Sequence, residues 1–285
     1  MPPQPSPVWY ARRYPSTPPA RNEIITFRDI FSTLKSLPIP AQRPVLVHAD
    51  LSALGEIRGG AETVLGALTG AFSGVMTPAF TLRTQVIPED GPAHNGLIYG
   101  SGREQNAAAE YFNADMPADE NLGALAETLR RHPVSRRSDH PLLSFAGLQV
   151  DSALNAQTLR DPLAPVQVLA DQEGWVLLLG VDHTANFSIH LAERMAGRRH
   201  FVRWALTRFG VRECADVPVC SAGFEAAAEP LQDLVRGLPL GSAQILAVPM
   251  QPMLTRLAEW MRQEPNALLC GRAECLACAD APPES

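Results

Sequence analysis

The sequence predicts an α/β fold, a central sheet of buried strands flanked by helices. Two observations carry the prediction. The runs Pro44-Val45-Leu46-Val47-His48 and Trp175-Val176-Leu177-Leu178-Leu179 are short, unbroken and apolar, as strands covered on both faces are. Around them lie segments whose apolar residues recur at helical spacing. A polar turn follows the second run at Gly180-Val181-Asp182-His183-Thr184-Ala185-Asn186. It falls at the carboxyl end of a central strand, where open α/β sheets place their reacting groups.

The elements follow in order. Thr26 is expected to cap a helix reaching about Leu37, with Asp29 in its first turn and Phe27, Ile30, Phe31 and Leu34 apolar. Pro38 and Pro40 end it. The Pro44–His48 strand leads through the Asp50–Gly60 loop into a helix from Ala61 to about Phe72, then a strand over Gly74–Phe80. Gly59-Gly60 opens that helix, a place where an extended or anionic ligand can approach free backbone N–H groups; a tight loop is the simpler reading. Residues 82–118 read as a long irregular loop, its acidic side chains either facing a cationic ligand or simply solvated. Asn121 is expected to cap a helix to about His132. The polar cluster Arg136-Arg137-Ser138-Asp139-His140 precedes a short strand near Leu142–Phe145; its arginines suit a phosphate or bulk solvent equally. Beyond the central stretch the expectations are a helix beginning at Asn186, a strand over Phe201–Leu206 and helical periodicity over Phe224–Leu234 broken near Pro230. A strand over Gly241–Val248 and an amphipathic helix over Leu254–Gln263 complete the body.

Composition bounds what this fold can serve. The chain has 285 residues, 46% hydrophobic and 19% charged, an ordinary globular balance. Its net charge of −6 and lack of a basic run argue against nucleic acid and are compatible with a cationic substrate. No apolar segment spans a membrane and no signal-peptide core stands at the N-terminus, so a cytoplasmic location is expected. Residues 1–22 hold seven prolines and form an extended arm. Its Trp9, Tyr10 and Tyr14 can anchor to the body or to a second copy, which leaves a homodimer open. Residues 23–265 make the folded domain, and residues 266–285 a cysteine-containing tail.

The three blocks VLVHADLSALGEIRGGAETVLGALTGAFSGVMTPAFT, NLGALAETLRRHPVSRRSDHPLLSFAG and GVDHTANFSIHLAE, in this order and spacing, resemble the aminoglycoside 3-N-acetyltransferases. The resemblance covers roughly residues 24–262. It implies a single domain with a central mixed β-sheet flanked by helices, in that family's own architecture. It also implies acetyl transfer from acetyl-CoA to the 3-amino group of a 2-deoxystreptamine aminoglycoside. Asp50, Leu51, Ser52, Gly59 and Gly60 would then lie along CoA, with Arg137, Ser138 and His140 near the same cleft. His183 matches the family's catalytic histidine, the group that takes a proton as the amine attacks the thioester. Glu225 is the nearest match for the carboxylate that orients it; Asp182 and Glu193 are closer in sequence. His190 and Glu193, at i, i+3 spacing, read as a supporting hydrogen-bonded pair, with a site role as the alternative.

The chain departs from the family pattern at Asp50, where serine is common, and at Phe187, where threonine is common. Both changes bear on the acceptor, so an acyltransferase acting on another amine of secondary metabolism is the second reading. A non-catalytic CoA-binding interaction protein is the third. Cys270-x4-Cys275-x2-Cys278 has metal-like spacing but offers three ligands where structural zinc takes four. Cys214, Cys220 or His200 are the sources of a fourth, and no metal is assigned from sequence alone.

Overall fold

The computed structural model describes residues 24–282. The proline-rich arm, with Trp9, Tyr10 and Tyr14, lies outside them. Seven strands build the middle layer: β1 (Pro44–Ala49), β2 (Gly74–Pro78), β4 (Arg136–Arg137), β5 (Phe145–Leu148), β6 (Trp175–Leu179), β9 (Arg236–Leu240) and β10 (Ala243–Pro249). They form one mixed sheet in the order β4-β5-β2-β1-β6-β10-β9. β1 runs parallel to β2 on one side and to β6 on the other, whereas β5 and β10 are antiparallel to their neighbours. The remaining strands, β3 (Gln85–Val86), β7 (Phe201–Thr207) and β8 (Gly210–Val217), make a second, three-stranded sheet.

The unbroken apolar run of β6 is explained by two cores. Val176 and Leu178 point into one, and Leu177 and Leu179 into the other. Alternate side chains of a strand leave opposite faces, so a strand covered on both sides must be apolar throughout. Helices α1 (Phe27–Ser36), α3 (Gly60–Ala71) and α5 (Gly123–Arg131) cover the first face with Ile30, Leu34, Val64, Leu68, Leu125 and Leu129. α7 (Ala164–Asp171), α8 (Ile189–Met195) and α9 (Met250–Gln263) cover the second with Val166, Leu169, Ile189, Leu191, Met253 and Leu257. The short helices α2 (Leu51–Leu54), α4 (Arg103–Ala108), α6 (Asp151–Ala156) and α10 (Leu276–Asp280) lie in the connections. Among the described residues no helix is long and apolar enough to cross a membrane.

Local chemistry sets the boundaries. The Thr26 side chain accepts from the Asp29 N–H while Asp29 accepts from the Thr26 N–H, a full capping box on α1. The strand expected near Leu142–Phe145 begins only at Phe145. His140 Nδ1 accepts the backbone N–H groups of Leu142 (3.2 Å) and Leu143 (3.0 Å), which holds those residues in a turn. Asn121 does not cap a helix; it lies in a 3-10 turn, Glu120–Leu122, ahead of α5. His183–Ala185 form another 3-10 turn, and the α-helix after it starts at Ile189 instead of Asn186. The C-terminal segment packs Ala277 and Ala281 of its end against Phe201 of β7.

Candidate active site

β1 is the point where the chain order reverses, with β2 on one side and β6 on the other. A cleft of about 540 Å³ opens at the carboxyl ends of these three strands. Val47, His48, Ala49 and Asp50 line it from β1 and the turn after it; Thr77, Pro78 and Phe80 line it from β2. Glu120 to Gly123 and the first turns of α5 form one wall. Val181, Thr184, Ala185, Phe187 and His190 form the other, with Ser221 at its edge. Asp50 and Glu120 give the cleft carboxylates. Phe187 sits against Phe80 (centroids 4.7 Å) and Phe145 (5.8 Å), so one wall is aromatic.

His190, on the first turn of α8, is the titratable group in the cleft with a built support. Its Nδ1 lies 2.6 Å from Glu193 Oε2, and Glu193 Oε1 accepts from Arg198 Nη1 at 2.9 Å. Arg198 is held in turn by the carbonyls of Pro265 and Ala267. All three side chains are buried. The carboxylate fixes the tautomer: Nδ1 carries the proton, and Nε2 keeps its lone pair. Burial draws the His190 pKa below its usual value, and the Glu193 hydrogen bond and charge oppose that. For Glu193, burial raises the pKa, but the hydrogen bond from His190 and the charge of Arg198 oppose it and the net direction is downward. Phe187 and Phe224 flank the ring at 5.1 and 4.7 Å. His200 stands behind, its Nε2 4.0 Å from Glu193 Oε2 and its Nδ1 3.0 Å from Asp216 Oδ1. His190, Glu193 and His200 bring ligand-type atoms within 4.8 Å of one another. Arg198 already supplies the cation that Glu193 needs, so the set is a proton-holding chain and not a metal site.

His183 is placed otherwise than the sequence implied. It is fully buried, and the cleft is lined by its neighbours Thr184 and Ala185, not by its ring. Its Nδ1 lies 3.3 Å from Asn186 Nδ2, which also reaches Met253 Sδ at 3.4 Å on α9. Ser188 donates to Asn186 Oδ1 and so fixes the amide with its N–H₂ toward the ring. Burial pushes the His183 pKa down to about 4, against the opposing charge of Asp182. Glu225 does not touch the ring either. Its carboxylate accepts the backbone N–H of His183 at 2.9 Å, and burial lifts its pKa to about 7. His183 and Glu225 therefore build the turn that carries the wall of the cleft; the imidazole that this wall presents to the cleft is His190. The i, i+3 pairing with Glu193 is visible in the sequence, but the third partner and the cleft are not. His48 also lines the cleft and is absent from the sequence-derived set. Its ring is buried without a partner for Nε2, and desolvation lowers its pKa to about 3.

The residues expected along a cofactor divide into two groups. Asp50 lines the cleft and caps α2 by accepting the N–H and Oγ–H of Ser52. Leu51 and Ser52 follow it on α2. The loop then runs to Gly59 and Gly60, both exposed and both left-handed, with φ of 78° and 58°, at the N-terminus of α3. Of this group Asp50 lines the cleft, and the others follow it in the chain. Arg137 and Ser138 are not available in the same way. Arg137 donates to Ser144 Oγ and to the carbonyls of Ala114, Met116 and Ala79, and burial lowers its pKa to about 10. Ser138 donates to Gln157 and accepts from the Phe145 N–H. An anion at Arg137 would face a ring of carbonyl oxygens, so these two residues are internal clamps that set the β4–β5 edge. His140 is likewise buried and turned onto the Leu142 and Leu143 backbone.

A cleft at the carboxyl ends of parallel strands, with a tautomer-fixed histidine in its wall, defines an α/β protein equipped for proton transfer. The chain belongs to the aminoglycoside 3-N-acetyltransferase family, whose model matches residues 46–262. It is 36% identical over 160 residues to aminoglycoside N(3)-acetyltransferase VII of Streptomyces paromomycinus, covering 53% of this chain and 54% of that one. It is 31% identical over 177 residues to the SPbeta prophage-derived aminoglycoside N(3')-acetyltransferase-like protein YokD of Bacillus subtilis, covering 59% and 64%. The chain thus spans between half and two thirds of the length of these two curated relatives. The crystal structure of YokD superposes with a TM-score of 0.74 over 86% of this chain and 96% of that one, at 22% identity. Two further fold neighbours have ligands: a variant of AAC(3)-IVa with gentamicin (TM-score 0.71, 22% identity, 91% and 98% covered) and AAC-IIIb with CoASH (TM-score 0.69, 20% identity, 85% and 97% covered).

Proposed function

We propose that this chain transfers the acetyl group of acetyl-CoA to an amino group of an aminoglycoside, the 3-amino group of 2-deoxystreptamine, with His190 as general base. The observation that carries the proposal is the His190–Glu193–Arg198 chain ending in the cleft wall. Family membership supports the reaction class, and the CoASH and gentamicin complexes of fold neighbours support the two substrates.

The chemistry assigns each group a task. An ammonium has no lone pair, so the acceptor first loses one proton to solvent, and the free amine then gives up a second as its nitrogen attacks the thioester carbonyl. His190 Nε2 accepts it, and the imidazolium formed is stabilised by Glu193, whose own charge Arg198 balances. The new C–N bond forms a tetrahedral intermediate. Its collapse breaks the C–S bond and releases CoA as thiolate, to which His190 can return the proton. Asp50 and Glu120 raise the local concentration of a polycation in the cleft. The exposed Gly59-Gly60 start of α3, beside Arg58, offers backbone N–H groups and a cation to the phosphates of CoA, and the Asp50–Gly60 loop leads from there to the cleft.

Phe187 favours a second acceptor class. The aromatic wall it makes with Phe80 suits an amine with an apolar face. Purified protein supplied with acetyl-CoA and a panel of amines is expected to release CoA with gentamicin- or kanamycin-type acceptors, and NMR of the product to show acetylation at the 3-amino group. Turnover confined to apolar amines would replace the aminoglycoside with the second class. CoA binding with no turnover on any amine would defeat both.

A further inference from the structure

We infer that Cys220, Cys270, Cys275 and Cys278 form a structural zinc site that staples the C-terminal segment to the loop following β8. The sequence offers three tail cysteines in metal-like spacing, and the fold delivers the fourth from a segment fifty residues earlier. All four Sγ atoms lie within 4.8 Å of one another. A tetrahedral zinc with Zn–S of ~2.3 Å sets sulfur atoms ~3.8 Å apart, so a small contraction closes the site. All four thiols are partly buried and unbridged. Four thiolates with no open position is the donor set of a closed structural zinc site, and soft sulfur ligands select that metal over oxygen-loving cations.

The surroundings support the same reading. The backbone N–H of Cys270 points at Cys278 Sγ (3.4 Å), and Arg272 Nη2 reaches Cys220 Sγ at 4.0 Å. Donors of this kind stabilise metal-bound thiolates and offset their charge. Gly271 turns the chain directly after Cys270 with a φ of 68°. The two cysteine-bearing segments touch at Gly223, where an added Cβ would fall 2.4 Å from the Leu268 carbonyl oxygen and 2.5 Å from that of Leu269. Only a residue without a side chain permits that approach. The apolar support is slight: Phe201, Ala277 and Ala281 are its only fully buried members among the described residues. A metal supplies the cohesion that so small a cluster lacks.

The staple bears on the cleft. Ser221, next to Cys220, lines it, and Glu225 holds the His183 turn. The segment leading to Cys270 provides the Pro265 and Ala267 carbonyls that hold Arg198. This coupling rests on the proposed role of His190; the metal site itself does not.

Elemental analysis of the purified full chain tests the site without reference to activity. About one equivalent of zinc per chain is expected. Cys220→Ser should lower zinc content to a small fraction, while Cys214→Ser, which removes a core thiol outside the cluster, should leave it unchanged. Cobalt exchanged into the wild-type protein should show thiolate-to-metal charge-transfer absorption and the strong visible bands of tetrahedral cobalt. Less than half an equivalent of zinc, with four freely titrating thiols or with two disulfides detected by mass, would overturn the inference. So would full zinc retention by folded Cys220→Ser protein.

Discussion

His190 and His183 flank the same helix start and meet different physics. His183 is enclosed by Asn186 and Met253, with no carboxylate on its ring, so burial dominates its basicity. His190 has Glu193 at 2.6 Å, and that hydrogen bond and charge oppose the lowering that burial imposes on the ring. Replacing Glu193 with Gln removes the charge that raises the His190 pKa. Burial, already the largest influence on the ring, is then less opposed, so kcat should fall and the acid limb of the pH–rate profile should move to lower pH. An unmoved limb would mean that His190 is not the titrating base. The sequence shows the His190–Glu193 spacing, but that spacing is the same for a structural pair. What separates the readings is Arg198 and the cleft, which the chain assembles from residues far apart in sequence.

Buried histidines also make the fold acid-sensitive. His48, His140 and His183 are drawn down to about 3, 4 and 4 by burial. Between those values and ~6.5 the unfolded chain binds protons that the folded chain refuses, so stability rises with pH across that window. Each histidine contributes roughly 1.4 kcal/mol per pH unit there. Glu225, raised to about 7, acts in the opposite sense, because its folded form holds a proton that the unfolded form releases above its ordinary pKa. Three groups against one leave a net loss on acidification. The urea midpoint should therefore be lower at pH 5 than at pH 7; an equal or higher midpoint at pH 5 would contradict these assignments.

At the scale of elements, legibility follows burial. The runs of β1 and β6 are apolar throughout because each feeds both cores, and the sequence alone places them to within a residue. Leu178 of β6 is fully buried in the core shared with α8 and α9. Leu178→Ala should cost about 2–5 kcal/mol, read as a fall in urea midpoint at unchanged slope. A loss under 1 kcal/mol would mean that the site collapses around the cavity. β8 and β9 escape a reading from sequence because their exposed and half-buried residues leave no continuous apolar signal. The helical periodicity over Phe224–Leu234 yields only a 3-10 turn, Phe224–Ala228. Pro230 has no N–H to donate back into that turn, and its ring crowds the carbonyl one turn earlier. The strand expected over Leu142–Phe145 lies instead at Phe145–Leu148, because a side chain, His140, captures backbone donors that a strand would use.

Over the whole molecule, the reversal of chain order at β1 puts a cleft where three parallel strands end, and the C-terminal segment returns to brace it. The family resemblance is legible in three ordered blocks, and the fold that it implies is the fold observed. The cleft is lined by His190 and not by His183, because position at a strand end does not determine which way a ring turns; His190 is therefore the base we propose. Paired variants test this account most directly. With saturating acetyl-CoA and aminoglycoside, and rates normalised to folded protein, His190→Gln should lower kcat by roughly 10²–10⁴-fold with KM little changed. His183→Gln should stay within a few-fold of the parent. Loss of turnover in His183→Gln together with near-normal turnover in His190→Gln would contradict the assignment.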